Sequence, residues 1–298
     1  MSEEPASEAA TSQPNRAGDE FYILSDEQAQ VEYVGVRRAA QWVPFLLPHL
    51  RSGMRLLDCG CGVGSITLDL AEIVAPGETV GVDLDENQLA IARAAASTRN
   101  LANTRFRVAS VYELPFADAS FDVVLAHTVL FHLSDQLRAL KELRRVLAPG
   151  GIVAISDDDW ATWVVSPEDS PVRRVMAELG PELIIASGGN PFYSRHLRRL
   201  LLEAGFARTE GFAVAAEHYG RLEETRRLAN VIIRQLQNPD IIPLARQWVA
   251  AEQIDSMRAE VREWGERPDS FAAVMYCAAL GWVDTESSES DGRRDRAP

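Results

Sequence analysis

Arg55–Asp58 has the make-up of a short strand, and it runs directly into Asp58-Cys59-Gly60-Cys61-Gly62-Val63-Gly64, with a helical pattern beginning at Ser65. Glycines at alternate positions let a backbone turn sharply and come close to a ligand. A helix N-terminus behind them presents oriented N–H groups. A second strand ends at Asp83, 25 residues after Asp58. An acid at that tip can accept both hydroxyls of a ribose. The dinucleotide turn asks for Gly-x-Gly-x-x-Gly, but its third glycine position is Ser65 here. The spacing is instead Gly-x-Gly-x-Gly preceded by an acid.

Other side chains could act on whatever binds there. His127 and His132 follow the fourth strand, where an imidazole could serve an oxygen or nitrogen nucleophile as general base, or simply line a pocket. Asp157-Asp158-Asp159 offers the hard oxygens a divalent cation prefers. Neighbouring residues diverge along a chain, however, so the run is expected to order the loop after strand five, and no metal is assigned. Cys59 and Cys61 sit inside the glycine turn and read as small packing residues. Seven aromatics, Tyr22, Phe131, Trp160, Trp163, Phe192, Tyr193 and Phe212, fall on the N-terminal segment or toward the C-terminal side of the strands. Ligands of open α/β sheets bind at that edge, so several of these rings, Tyr22, Phe131, Trp160, Trp163, Phe192 and Tyr193 among them, are expected to meet as a pocket for a large apolar molecule, and others to be core.

The elements that must position these groups alternate. Strands are expected at 55–58, 79–83, 104–109, 121–126 and 152–156, with helices at 65–74, 86–99 and 135–147 between them. Such alternation implies a parallel sheet covered on both faces. Residues 26–49 carry a helical apolar pattern and are expected to cap the sheet. Beyond Asp157 come helices at 171–187 and 194–204 and a strand at 206–214. Residues 221–265 are helical, with breaks near Asn238-Pro239 and Pro243, and 270–283 fits either a strand or a helix. Residues 1–18 and 284–298 are small, polar and acidic and are expected to be disordered. The body, 19–283, is expected to form one domain, with 19–50 as cap and 221–265 as a helical lid insertion.

In order and spacing, Asp58 through Gly64, Val82-Asp83-Leu84, Glu113-Leu114-Pro115-Phe116 with Ala119-Ser120-Phe121-Asp122, and Leu147-Ala148-Pro149-Gly150-Gly151 resemble the motifs of the class I S-adenosylmethionine-dependent methyltransferases. They cover roughly residues 53–156. Tyr22, Arg37 with Gln41, Asp157 through Trp160 and Gly188-Gly189-Asn190-Pro191 are similar to a ubiquinone/menaquinone-methyltransferase-like subfamily that acts in secondary metabolism. The resemblance implies a Rossmann-like three-layer α/β/α sandwich with a seven-stranded, mostly parallel sheet. It implies S-adenosylmethionine as cofactor, held by Asp58, Gly60, Cys61, Gly62, Asp83, Leu84, Gln88, Ser110, Val111, Tyr112, Ala126 and His127. Many members carry Asp at the position of Ser110, so adenine recognition is expected to differ in detail.

The expected acceptor is a bulky apolar natural product. One reading is attack at carbon by the alkene of a terpenoid or prenylated indole alkaloid, with aromatic faces stabilising the cation that results. The other is an oxygen or nitrogen acceptor with His127 or His132 as base. Composition limits the partners. The 298 residues carry a formal net charge of −14, which would repel a phosphate backbone or an anionic membrane. Three cysteines give no disulfide framework, and neither a signal peptide nor an 18-residue apolar span is apparent, so a cytoplasmic protein is expected. A cap helix beside a polar tail could exchange between subunits, which points to a homo-oligomer.

Overall fold

The computed structural model describes residues 31, 33–239 and 241–285. Tyr22, residues 1–18 and most of 284–298 lie outside the described residues.

Four parallel strands, β1 (Leu56–Cys59), β2 (Thr79–Asp83), β3 (Thr104–Val108) and β4 (Phe121–His127), join β5 (Leu147–Asp158), also parallel, in the order β3-β2-β1-β4-β5. β8 (Phe271–Trp282) runs antiparallel to β5 and pairs along its other edge with β7 (Arg208–Tyr219). The open reading of 270–283 resolves to a strand. An eighth strand, β6 (Val164–Ser166), was not legible as one and pairs with the first residues of β8.

Strands 1, 4 and 5 are buried on both faces, as parallel strands between helices must be. Successive side chains alternate in direction. Leu56, Val123, Leu125 and Ala154 therefore join one core, and Leu57, Val124, Val153 and Ile155 the other. The first core is closed by α2 (Ser65–Val74), α7 (Leu222–Gln235) and α9 (Ala251–Glu266). The second is closed by α4 (Gln136–Val146) and α6 (Leu197–Glu203). α3 (Glu86–Thr98) follows β2, its N-terminus capped by Asp85, which accepts from Asn87 N–H at 2.9 Å.

The N-terminal cap differs from the single helix expected over 26–49. Among the described residues it is helical at Val31 and Tyr33, then a turn at 34–36, a four-residue α1 (Ala39–Trp42) and a 3₁₀ turn at Leu47–His49. Pro44 explains the break. Both it and Pro48 lack a donor; Pro44 puts Val43 outside helical backbone, at φ −131° and ψ 43°, while Pro48 stands in the first turn of the 3₁₀ segment, where its missing N–H is tolerated. The apolar periodicity that suggested one helix still buries Ala39, Trp42, Val43 and Leu46.

Residues 171–186 form α5, which runs as Pro171–Arg174, a π-helical Val175–Leu179 and Gly180–Ala186. The expected insertion is α7, a short α8 (Ile242–Ala245) and α9, interrupted near Asn238-Pro239 as its prolines imply. No helix among the described residues is long and apolar enough to cross a membrane.

Candidate active site

A cavity of about 530 Å³ opens at the C-terminal edge of β1, β2, β4 and β5. The glycine turn forms part of its wall. Gly60, Gly62 and Gly64 all have positive φ, which disfavours side chains. A Cβ at Gly60 would lie 2.3 Å from Val129 Cγ2, and one at Gly62 would lie 2.9 Å from Gln88 Oε1. The turn is thus a cradle that side chains would fill. Asp83 braces it, accepting from Gly62 N–H at 2.8 Å through Oδ2 and from Asp85 N–H at 3.1 Å through Oδ1. Burial raises its carboxyl above the usual range.

Asp58 lies beneath the turn, where Thr67 Oγ1 donates to its Oδ2 at 2.6 Å. Desolvation pushes its carboxyl up to about 7, against the lowering effect of that hydrogen bond. Cys59 and Cys61 are buried thiols raised well above their ordinary value, chiefly by desolvation. They fit packing residues, not thiolate chemistry.

Of the residues expected to hold a cofactor, Asp58, Gly60, Cys61, Gly62, Asp83, Leu84, Gln88, Val111 and His127 line the cavity. Ser110, Tyr112 and Ala126 do not. Ser110 Oγ accepts from Tyr112 N–H at 3.1 Å, tying it into its own turn. Tyr112 is drawn outward, its hydroxyl accepting from Asp135 N–H at 3.0 Å and its ring beneath the Arg138 guanidinium. Ala126 is fully buried in the sheet's second core.

Phe131, Trp160 and Trp163 line the cavity's other wall. Phe192 and Tyr193 do not reach it. Arg195 lies over the Phe192 ring, and the Tyr193 hydroxyl donates to Asp157 Oδ2. Phe212 stacks on Phe45 at 5.3 Å, in the core. The aromatic wall is instead completed by aliphatic side chains that sequence reasoning missed: Met176, Leu179 and Leu183 of α5, and Leu228, Val231 and Ile232 of α7. Their helical spacing was visible, but it reads equally well as ordinary core. α5 and α7 thus cover the apolar end of the cavity.

His127 is buried, stacked on Tyr276 at 5.6 Å and set edge-on to Trp42. Arg37 Nη1 lies 3.3 Å from its Nε2 and donates to Thr128 Oγ1 at 2.9 Å. Desolvation first, and then the Arg37 charge, hold the imidazole well below its usual pKa. His132 lines the cavity, and burial lowers it to about 3. Both rings are therefore neutral at physiological pH and are poor proton acceptors. Thr128 itself sits at φ 61°, a left-handed conformation rare for a β-branched residue.

Of the acidic run, Asp159 orders the loop after β5 as expected, whereas Asp157 orders the loop after β4. Asp157 accepts from Val129 N–H at 2.8 Å and from Leu130 N–H at 3.2 Å, pinning the loop after β4 to the end of β5. Burial raises its carboxyl to about 7. Asp159 pairs with Arg195 and caps Ala161 N–H. Asp158 lines the cavity. Among the described residues no cluster of three metal-ligating side chains is present.

A second polar centre joins segments far apart in sequence. The buried carboxylate of Glu217 accepts hydroxyls from Tyr33, from Tyr219 at 2.5 Å and from Tyr276 at 2.5 Å. Tyr33 and Tyr276 also line the cavity. The network thus fastens the N-terminal cap to β7 and β8 beside the site.

Residues 57–155 match a family model described as a methyltransferase domain. A protein of Aspergillus luteorubrus named "Probable methyltransferase ltbC" is 30% identical over 298 residues, covering 92% of this chain and 99% of its own. Demethylmenaquinone methyltransferase of Staphylococcus aureus is 34% identical over 191 residues, 59% of this chain and 78% of its own. The crystal structure of the YcgJ protein from Bacillus subtilis superposes with a TM-score of 0.54 at 19% identity, covering 81% of this chain and 97% of that one, a likeness of fold. With its glycine cradle, its acid at the tip of β2 and a relative aligned along nearly its whole length, this chain belongs to the class I S-adenosylmethionine-dependent methyltransferases.

Proposed function

We propose that the enzyme transfers the methyl group to a bulky, apolar small molecule held beneath α5 and α7. The observation that carries this reading is one wall of the cavity, where Trp160, Trp163, Met176, Leu179, Leu183 and Ile232 present apolar side chains. An apolar body gains most from such a wall. The S. aureus relative is named for demethylmenaquinone, which is compatible with it.

S-adenosylmethionine supplies an electrophilic methyl group on a sulfonium. In this reading Gly60 and Gly62 leave room for it, Asp83 accepts the ribose hydroxyls, and Leu84, Gln88 and Val111 flank the adenine end. Asp58 holds the turn through Thr67. The chain's main work is to align acceptor and methyl group and to exclude water, which α5 and α7 are placed to do.

Carbon is the favoured site of methylation, as in an alkene of a terpenoid or prenylated indole. Two observations support this over a base-assisted oxygen or nitrogen acceptor. The Nε2 lone pair of His127 faces the Arg37 guanidinium, and both cavity histidines have lowered pKa values. Transfer to an alkene needs no base in the methyl-transfer step, and aromatic rings can stabilise the cation left behind.

Trp160→Ala tests the chamber. The acceptor's KM should rise at least tenfold, while calorimetry should find S-adenosylhomocysteine affinity within twofold of wild type. An unchanged KM would place the acceptor elsewhere.

A further inference from the structure

The apolar chamber contains one carboxyl that no fold requirement explains. Asp158 lies at the C-terminal end of β5, is 5% exposed, and lines the cavity. Its neighbours in sequence are fully employed: Asp157 takes two backbone N–H groups and a tyrosine hydroxyl, and Asp159 takes Arg195 and a cap. Asp158 makes no such ties: its Oδ1 is buried without a hydrogen-bond partner. The indole N–H groups of Trp160 and Trp163, lining the same cavity, are also buried without an acceptor. A buried polar group with no partner costs stability, and native proteins rarely tolerate one without a use.

The charges around Asp158 narrow that use. Burial is the main effect that raises the carboxyl well above its usual range, the nearby Glu217 and Asp157 add to it, and Arg37 opposes them. A protonated carboxyl presents one O–H donor and one carbonyl acceptor. A hydroxyl likewise both donates and accepts, so the two are complementary. A cationic amine would need the ionised form instead.

We propose that Asp158 is a positioning residue that hydrogen-bonds a hydroxyl on the otherwise apolar acceptor and so fixes which carbon faces the methyl group. This rests on the apolar-chamber reading above and adds one polar anchor to it. The anchor explains why a carboxyl stands where leucine would pack without an unsatisfied atom.

The test uses farnesol and farnesyl methyl ether as probes, titrated by calorimetry into the full-length protein loaded with S-adenosylhomocysteine. The wild type should bind the alcohol about tenfold more tightly than the ether, the range of one net hydrogen bond. Asp158→Asn keeps a donor and an acceptor and should retain most of that preference. Asp158→Leu should bind both probes equally and should melt at or above the wild-type temperature, because it removes an unsatisfied buried group. Equal binding of alcohol and ether by the wild type would overturn the anchor and leave the apolar chamber standing. Binding of neither probe would overturn the chamber and the anchor with it. A preference that survives Asp158→Leu would assign the hydroxyl to another residue.

Discussion

Arg37 Nη1 lies 3.3 Å from His127 Nε2. A guanidinium has only donors, so Nε2 must be the acceptor and the imidazole carries its proton on Nδ1. The same Nη1 donates to Thr128 Oγ1 at 2.9 Å. One cap residue therefore orients the side chain at the end of β4 and holds the left-handed turn after it. Arg37 also lies over the Trp42 ring, 4.2 Å from its centroid. This contact favours keeping the cation in place.

This pairing predicts that His127 does not titrate in the physiological range. Nitrogen-detected NMR of the folded protein should show a neutral Nδ1–H tautomer from pH 5.5 to 8.5. A resonance that titrates near 6.5 would mean that solvent reaches the ring, and the general-base reading would regain its footing.

The glycine cradle makes a sharper claim. In Gly60→Ala the new Cβ would meet Val129 Cγ2 at 2.3 Å, on a backbone with φ of 72°. The left-handed strain alone costs about 1–2 kcal/mol, and the overlap adds to it. S-adenosylhomocysteine affinity should fall at least tenfold and the melting temperature should drop. Adding Val129→Ala should restore part of the stability, because it removes the clash and leaves the backbone strain. A double variant no more stable than the single one would show that Val129 is not the obstacle.

The cofactor end was legible in the sequence because its parts are local. Gly60, Gly62 and Asp83 come from one strand-turn-helix-strand unit, where spacing fixes geometry. The acceptor end was legible only in part. Trp160 and Trp163 follow β5 directly, and both line the cavity. Phe192 and Tyr193 were expected there by the same aromatic argument, but Tyr193 is claimed by Asp157 and Phe192 by Arg195. Residue type does not say which of several rings a buried carboxylate will capture. The Glu217 network could not be read at all, since Tyr33 and Glu217 are 184 residues apart. In the cap, apolar periodicity reads as one helix, but Pro44 interrupts the backbone and splits it.

That network supplies the next prediction. Three tyrosine hydroxyls donate to Glu217, which is 4% exposed. In Glu217→Gln an amide nitrogen, itself a donor, would face at least one of those hydroxyls. Leaving a buried donor unmet costs about 1–3 kcal/mol, and more for a charged partner, so urea denaturation should show a loss of about 3 kcal/mol. The cap should loosen first, seen as faster amide exchange at Trp42 and Val43 than in the β1 core. Exchange accelerated uniformly would argue that Glu217 supports the whole domain instead.

Asp58 predicts how stability should depend on pH. Its carboxyl is pushed up to about 7 by burial, against about 3.9 in an unfolded chain. Between these values the folded protein binds this proton more tightly than the unfolded chain does. The group's contribution is therefore fully present below about pH 4 and is lost as pH rises through 7, at about 1.4 kcal/mol per unit. His127 and His132 act in the opposite sense. Their lowered pKa values mean that the unfolded chain binds more protons below about pH 6.5, so acidification there costs stability. The wild-type profile alone would mix these effects. The informative quantity is the difference between wild type and Asp58→Asn, measured by urea denaturation of cofactor-free protein at pH 5, 6, 7 and 8. Asparagine does not ionise, so the difference should move steadily against the wild type from pH 5 to 7 and flatten above it. A difference independent of pH would mean that Asp58 ionises as an ordinary carboxylate. Thr67, whose hydroxyl donates to it at 2.6 Å, would then outweigh the desolvation that raises it.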